Sequence, residues 1–165
     1  IPLVPLADAG VLDLVIDGAD EFDSDYNLIK GGGGALTREK IVAQSSNGMV
    51  VVADDRKQVG ILGAFDLPIE VLPFEWKRTA DRVAEICLGT VNRRGGNEPF
   101  ISDNGGYILD CSFGSTITNP SALESSLLDI AGVVEVGLFV GICDAVVMAA
   151  SGGVATLIKQ GGRLV

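Results

Sequence analysis

The chain has 165 residues, 22 acidic and 12 basic side chains, and a net charge of −10. A field of that sign repels phosphodiester backbones and anionic membrane surfaces, so no nucleic acid and no membrane is expected as a partner. Histidine is absent, which excludes Ser-His-Asp triads and histidine-ligated zinc or haem iron; carboxylates, lysines, hydroxyls and backbone groups must do the chemistry.

The hydrophobic share of 47% suits a folded domain, or one domain with a small second lobe. No apolar run reaches the ~20 residues of a membrane span, and no signal-peptide pattern is visible. Cys87, Cys111 and Cys143 are odd in number and widely spaced. They fit buried, reduced thiols in a cytosol-like compartment better than a disulfide framework.

In chain order, Ile1–Leu6 with Pro2 and Pro5 reads as an edge strand. Val11–Ile16 reads as a buried strand that runs into Asp17-Gly18-Ala19-Asp20, placing side chains at the carboxyl edge of a sheet. A polar stretch and the loop Gly31–Gly34 follow. Ala35–Ser46 is a helix with Leu36, Ile41 and Val42 on its apolar face, and Met49–Ala53 is a second buried strand. Two strands joined by a helix predict a parallel βαβ unit.

The middle changes character. Pro68–Pro73 reads as a strand and Trp76–Leu88 as an amphipathic helix, with Trp76 packed between lobes or subunits. Phe100–Ser102 and Tyr107–Phe113 read as strands about the turn Asp103–Gly106. Pro120–Ile130 is a helix capped by Asn119, and Val133–Phe139 a further strand. This β-α-β-β-α-β order predicts a ferredoxin-like lobe. Ala145–Ala149 reads as a strand returning to the first sheet, followed by Gly152-Gly153 and an apolar tail. The fold class is thus α/β, a Rossmann-like parallel-sheet catalytic domain (residues 1–66 and 141–165) with an inserted smaller ferredoxin-like α+β lobe (residues 67–140).

Nucleotide and calcium motifs fail. After Gly31 and Gly33 the third glycine of a dinucleotide fingerprint would fall on Leu36; after Gly32 and Gly34 it would fall on Thr37. No Gly-Lys-Ser/Thr follows the glycines, so there is no P-loop. Asp23, Asp25 and Asn27 match the first ligands of an EF-hand, but Leu28 stands where glycine is needed and Gly34 where a bidentate glutamate is needed.

What survives is Asp17, Asp20, Lys30 and Glu39 around a glycine loop whose N–H groups can approach an anion. Such a set suits carbonyl migration between adjacent carbons: a carboxylate base removes a C–H proton and oriented donors stabilise the enediolate oxygen. The plainer readings are Asp-Gly as a turn and Glu39 and Lys40 as solvated helix residues.

The segment DLVIDGADEFDSDYNLIKGGGGALTREKIVA (13–43) resembles the core signature of the ribose-5-phosphate isomerase A family. The resemblance continues through VVVADDRK (50–57), LPIEV (67–71), SDNGGYILD (102–110) and GVVEVGLF (132–139). It implies that Glu39 is the general base, that Asp17 assists opening of the furanose ring, and that Asp20 and Lys30 bind and polarise sugar oxygens. It further implies that Gly31, Gly32, Gly33, Gly34 and Lys57 bind substrate, with Lys57 at the phosphate end. The implied reaction interconverts ribose 5-phosphate and ribulose 5-phosphate without metal or cofactor, in a cytoplasmic (or plastid) homodimer or homotetramer. The family also carries a Gly-Thr-Gly-Ser-Thr phosphate loop, which is not found here, so the phosphate pocket and part of the first sheet are expected to be missing from the chain as written. A non-catalytic sugar-phosphate-binding module or inactive fragment, and an amino-sugar phosphate isomerase or CoA transferase, are the alternatives.

Overall fold

Prolines decide how the first residues fold. In the computed structural model, which describes residues 2–164, residues 2–5 form no strand. Instead Pro5 accepts from the N–H groups of Asp8 (3.0 Å) and Ala9 (3.2 Å) and opens a single helical turn, α1 (Leu6–Ala9). Ile1, the other end of the expected edge strand, lies outside the described residues.

The first apolar run contributes β1 (Val15–Asp17), shorter than expected, with Leu12 bridged separately to Ser46. The polar stretch read as loop holds a hairpin, β2 (Glu21–Phe22) and β3 (Leu28–Ile29). Then come α2 (Leu36–Gln44) and β4 (Met49–Asp54), followed by a 3-10 turn at Asp55–Lys57. On α2 the inward face is Leu36, Lys40 and Ala43, spaced i, i+4, i+7. Ile41, expected there, is half exposed.

The middle of the chain forms β5 (Leu67–Val71), α3 (Trp76–Ala84), β6 (Val91–Arg93), β7 (Tyr107–Cys111), α4 (Pro120–Leu128) and β8 (Val133–Val136). The sheet order is β6-β7-β5-β8 with antiparallel pairs throughout, which is the ferredoxin-like arrangement. β6 was not anticipated, and Phe100–Ser102 reduces to one bridge between Ile101 and Tyr107. The Asn119 side chain accepts from Ala122 N–H at 3.1 Å, capping α4 as expected. Trp76 packs inside this lobe rather than between lobes, edge-on to Tyr107 at 6.2 Å and under the Arg93 guanidinium.

Pro68 sits within a central strand, normally a poor place for it. The β8 ladder starts at Ile69↔Val136, so the missing N–H of Pro68 breaks no bond there. Its carbonyl instead accepts from Gly137 N–H at 2.8 Å. At Gly137 the expected strand 133–139 splits. β8 stays in the lobe, while β9 (Leu138–Phe139) joins the small sheet β2-β3-β9. Gly137 passes between Lys30 and Pro68 so closely that a Cβ would stand 2.3 Å from the Lys30 carbonyl oxygen.

β10 (Ala145–Ala150) returns beside β4 in parallel, and β11 (Gly153–Ile158), unanticipated, turns back antiparallel at the edge. The resulting sheet is β1-β4-β10-β11, with β1, β4 and β10 parallel and their carboxyl ends at one edge. One apolar core is centred on the ferredoxin-like lobe and takes in Ile29, Leu62 and Leu138 beside it. The other, built on Phe22, Leu28, Met49, Val51, Phe139 and Val146, lies beneath the residues described next. All three cysteines are buried and free.

Candidate active site

The site forms where the carboxyl end of β1 meets the end of the β2–β3 hairpin. Asp17 is the last residue of β1, and Lys30 follows β3 directly. The hairpin that delivers Lys30 is closed by Asp23, whose carboxylate accepts from the N–H groups of Asp25 and Asn27, each at 2.9 Å. The acidic stretch that partly mimics a calcium loop is therefore a turn-closing device.

Lys30 is almost fully buried. Its ammonium donates to the Gly18 carbonyl at 2.6 Å, lies 2.9 Å from Asp17 Oδ2 and 3.4 Å from Glu39 Oε2, and its cation faces the Phe139 ring at 5.5 Å. Two carboxylates thus converge on one cation desolvated by an apolar floor. Glu39, on the first turns of α2, is held above the usual carboxylate range. Burial is the main cause; Lys30 opposes it, and repulsion from Asp17 and Asp20 adds to it. Glu39 Oε2 is buried and has no hydrogen-bond partner. Its ion-pair partner is Lys30 at 3.4 Å, an arrangement that leaves the carboxylate able to take up a proton.

The glycine loop is built around Asp20. Its Oδ2 accepts the Gly32 N–H at 2.7 Å, and a Cβ at Gly32 would meet Asp20 Oδ1 at 2.5 Å. Gly31 (φ +106°) and Gly34 (φ +82°) turn the chain through the left-handed region, closed by Gly34 N–H to Gly31 O at 2.9 Å. The N–H groups of Gly32 and Gly34 are therefore engaged within the protein. Arg94 of the lobe holds the loop from outside, donating to the Gly31 and Gly32 carbonyls at 3.1 and 3.0 Å.

Asp17, Asp20, Lys30, Glu39 and Gly31–Gly33 line one cavity of about 200 Å³. Gly34 does not; it packs against Phe100. Lys57 lies in an adjoining cavity of about 400 Å³, with Arg56, Glu21, Ala64 and Phe65, and Asp20 is the wall that both share. Sequence reasoning passed over two supports. Glu21 is buried and accepts from Gly63 N–H (2.8 Å) and Phe65 N–H (2.6 Å), fixing the far wall of that adjoining cavity. Arg94 braces the loop as described. Lys40, whose plainer reading was a solvated helix residue, is buried: its ammonium binds Glu124, Glu135 and the Val136 carbonyl.

A sequence model of the family described as ribose 5-phosphate isomerase A (phosphoriboisomerase A) matches residues 1–153. The chain belongs to that family. Ribose-5-phosphate isomerase A of Bacillus mycoides is 47% identical over 154 residues, covering 93% of this chain and 70% of that protein. The solved ribose 5-phosphate isomerase of Plasmodium falciparum superposes with a TM-score of 0.89 at 36% identity, covering 97% of this chain and 71% of that one. A D-ribose-5-phosphate isomerase solved in complex with phospho-erythronic acid matches with a TM-score of 0.89 at 37% identity, over 96% of this chain and 70% of that one. The chain thus spans about seven tenths of the length of these isomerase A family relatives.

Proposed function

We propose that the chain interconverts ribose 5-phosphate and ribulose 5-phosphate through an enediolate. The observation that carries this reading is Glu39, a half-buried carboxylate whose Oε2 accepts no hydrogen bond and lies 3.4 Å from the buried Lys30 ammonium, in the lining of a polar cavity.

Asp17 assists ring opening by exchanging a proton with the anomeric hydroxyl. Glu39 then takes the proton from C2 of the open aldose. The C–H electron pair forms the C1–C2 double bond, and the carbonyl pair moves to O1. The Lys30 ammonium has donors committed to Gly18 and Asp17 and one side facing Glu39, so it can polarise O1 and O2 as charge develops. The O2 hydroxyl proton passes to O1. Glu39, whose proton can exchange with solvent in the meantime, returns a proton to C1: the C1–C2 double-bond pair takes that proton as the O2 electron pair forms the C2 carbonyl, and the ketose leaves. The raised proton affinity of Glu39 suits it to abstracting a weakly acidic C–H proton. The C5 phosphate lies toward Lys57 and Arg56, across the Asp20 wall.

The binding of phospho-erythronic acid by a relative supports a phosphorylated-sugar substrate class, since a planar carboxylate resembles an enediolate. Membership of the family carries with it the expectation of a homodimer or homotetramer in the cytoplasm. The test is to incubate the chain with ribose 5-phosphate and EDTA and follow ribulose 5-phosphate. Turnover that survives EDTA and is lost in Glu39→Gln supports the reading. Binding without turnover, or an active Glu39→Gln variant, contradicts it.

A further inference from the structure

In an α-helix successive side chains point about 100° apart, so residues 37 to 40 of α2 look in four directions. Three of those directions are anchored in the ferredoxin-like lobe. The Thr37 hydroxyl donates to the Glu70 carboxylate, and the Lys40 ammonium lies 2.6 Å from Glu135 Oε1. Glu70 on β5 and Glu135 on β8 are direct cross-strand partners, so their side chains leave the same face of the sheet. Like charges opposite one another are unfavourable unless each is partnered. Here each meets one residue of the i, i+3 pair Thr37/Lys40 on the docked face of α2. The Glu70 carboxylate is completed by neutral donors, the Ser102 hydroxyl and the Asn104 amide at 3.2 Å. The third direction belongs to Arg38, which donates to Asn104 Oδ1 at 2.9 Å and to the Asp103 carbonyl. Glu39 takes the remaining direction, into the cavity.

We infer that Thr37, Arg38, Glu70 and Asn104 are positioning residues, which set the rotation of α2 and so aim the Glu39 carboxylate at the substrate carbon. The inference rests on the proposed role of Glu39 as the base. Two contacts on adjacent helix residues, meeting through one shared asparagine, fix rotation about the helix axis in a way that burial of Leu36 and Ala43 does not. A base displaced by about 1 Å loses on the order of 10²-fold in rate. The lobe, which contributes no residue to the Glu39 cavity, thereby controls the chemical step.

The test compares Thr37→Val with Thr37→Ser in the full chain, with rates expressed per folded molecule. Thr37→Val keeps the shape and removes the donor. It should lower kcat at least ~10-fold with KM changed less than ~3-fold, while Thr37→Ser, which keeps the hydroxyl, stays within ~3-fold of the parent. An unchanged kcat in Thr37→Val, or an equal loss in Thr37→Ser, overturns the inference. Should Thr37→Val fail to fold, Arg38→Met serves, because that side chain is largely exposed. A kcat loss of several-fold or more (~3–10-fold) at constant KM is expected, and an unchanged kcat overturns the inference. A second readout needs no turnover: the Glu39 titration followed by carboxyl ¹³C NMR. Glu39 is faced by Lys30, Asp17 and Asp20, so a change of helix rotation moves its midpoint in Thr37→Val, whereas a midpoint that stays in place overturns the inference. If the parent chain does not isomerise ribose 5-phosphate, the proposed function fails while this titration still decides the positioning.

Discussion

Replacing Lys40 with methionine removes one buried cation from between two carboxylates. Lys40 Nζ lies 2.7 Å from Glu124 Oε1, 2.6 Å from Glu135 Oε1 and 2.9 Å from the Val136 carbonyl. The two carboxylate oxygens are therefore within about 5.3 Å of one another. At an effective dielectric of ~20 their repulsion is about 3 kcal/mol once the ammonium is gone. Breaking a buried pair typically costs about 3–5 kcal/mol; both carboxylates keep about a fifth of their exposure, which favours the lower end. A loss of ~3 kcal/mol is a large part of ordinary domain stability and lowers Tm by roughly 6–12 °C for a chain of this size. Urea unfolding at pH 7 measures it directly. The double variant Lys40→Met/Glu135→Gln should recover ~1–2 kcal/mol. A loss below ~1 kcal/mol, or a double variant no more stable than Lys40→Met, refutes the view that Lys40 neutralises a buried pair.

Gly137→Ala should destabilise by at least ~1–3 kcal/mol, because its Cβ would meet two backbone oxygens, of Lys30 and Pro68, that cannot step aside; thermal unfolding checks it. Gly32→Ala should push Asp20 off the loop and lower kcat/KM by ~10-fold or more while Tm falls little, since the conflict is with one side-chain carboxylate. Glu39→Gln should be as stable as the parent or more so at pH 7. A folded-state pKa raised above the unfolded value gives stability that is complete below the unfolded pKa and lost as pH rises through the folded one, so removing that carboxyl costs nothing at neutral pH. Chemical unfolding at pH 7 and near pH 4 measures the crossover. The same raised pKa places the acid limb of kcat/KM above the ordinary carboxylate value of 4.5, with activity falling as Glu39 is protonated.

The parallel βαβ unit and the ferredoxin-like order were legible because they depend on local signals, buried apolar runs and a capped helix at Asn119-Pro120, although the turn at 103–106 drew the lobe's second strand to Phe100–Ser102 instead of β6 at Val91–Arg93. β2 and β3 were not, being two residues each within a polar run whose first member, Glu21, is a buried carboxylate. β11 was hidden in an exposed tail, although Gly152-Gly153 between two strand-like runs is a hairpin signal. Asp17, Asp20, Lys30 and Glu39 could be picked out because they crowd one glycine loop in sequence. Lys40 and Arg94 could not, because what each binds lies far along the chain: Glu135 is 95 positions from Lys40, and Gly31 is 63 from Arg94. A charged residue read without its partner looks solvated. The break in the strand 133–139 was equally invisible, since the alternation runs on through Gly137 while the chain changes sheets.

The role of Glu39 as the proton carrier is tested most directly by running the reaction of ribose 5-phosphate in D₂O and reading the ketose by NMR. The account predicts that ribulose 5-phosphate gains deuterium at C1 to the extent that the proton held on Glu39 exchanges with solvent before its return, and that Glu39→Gln loses both turnover and label by on the order of 10²-fold or more. Label carried into C1, or ketose formed, at the parental rate by Glu39→Gln would contradict it.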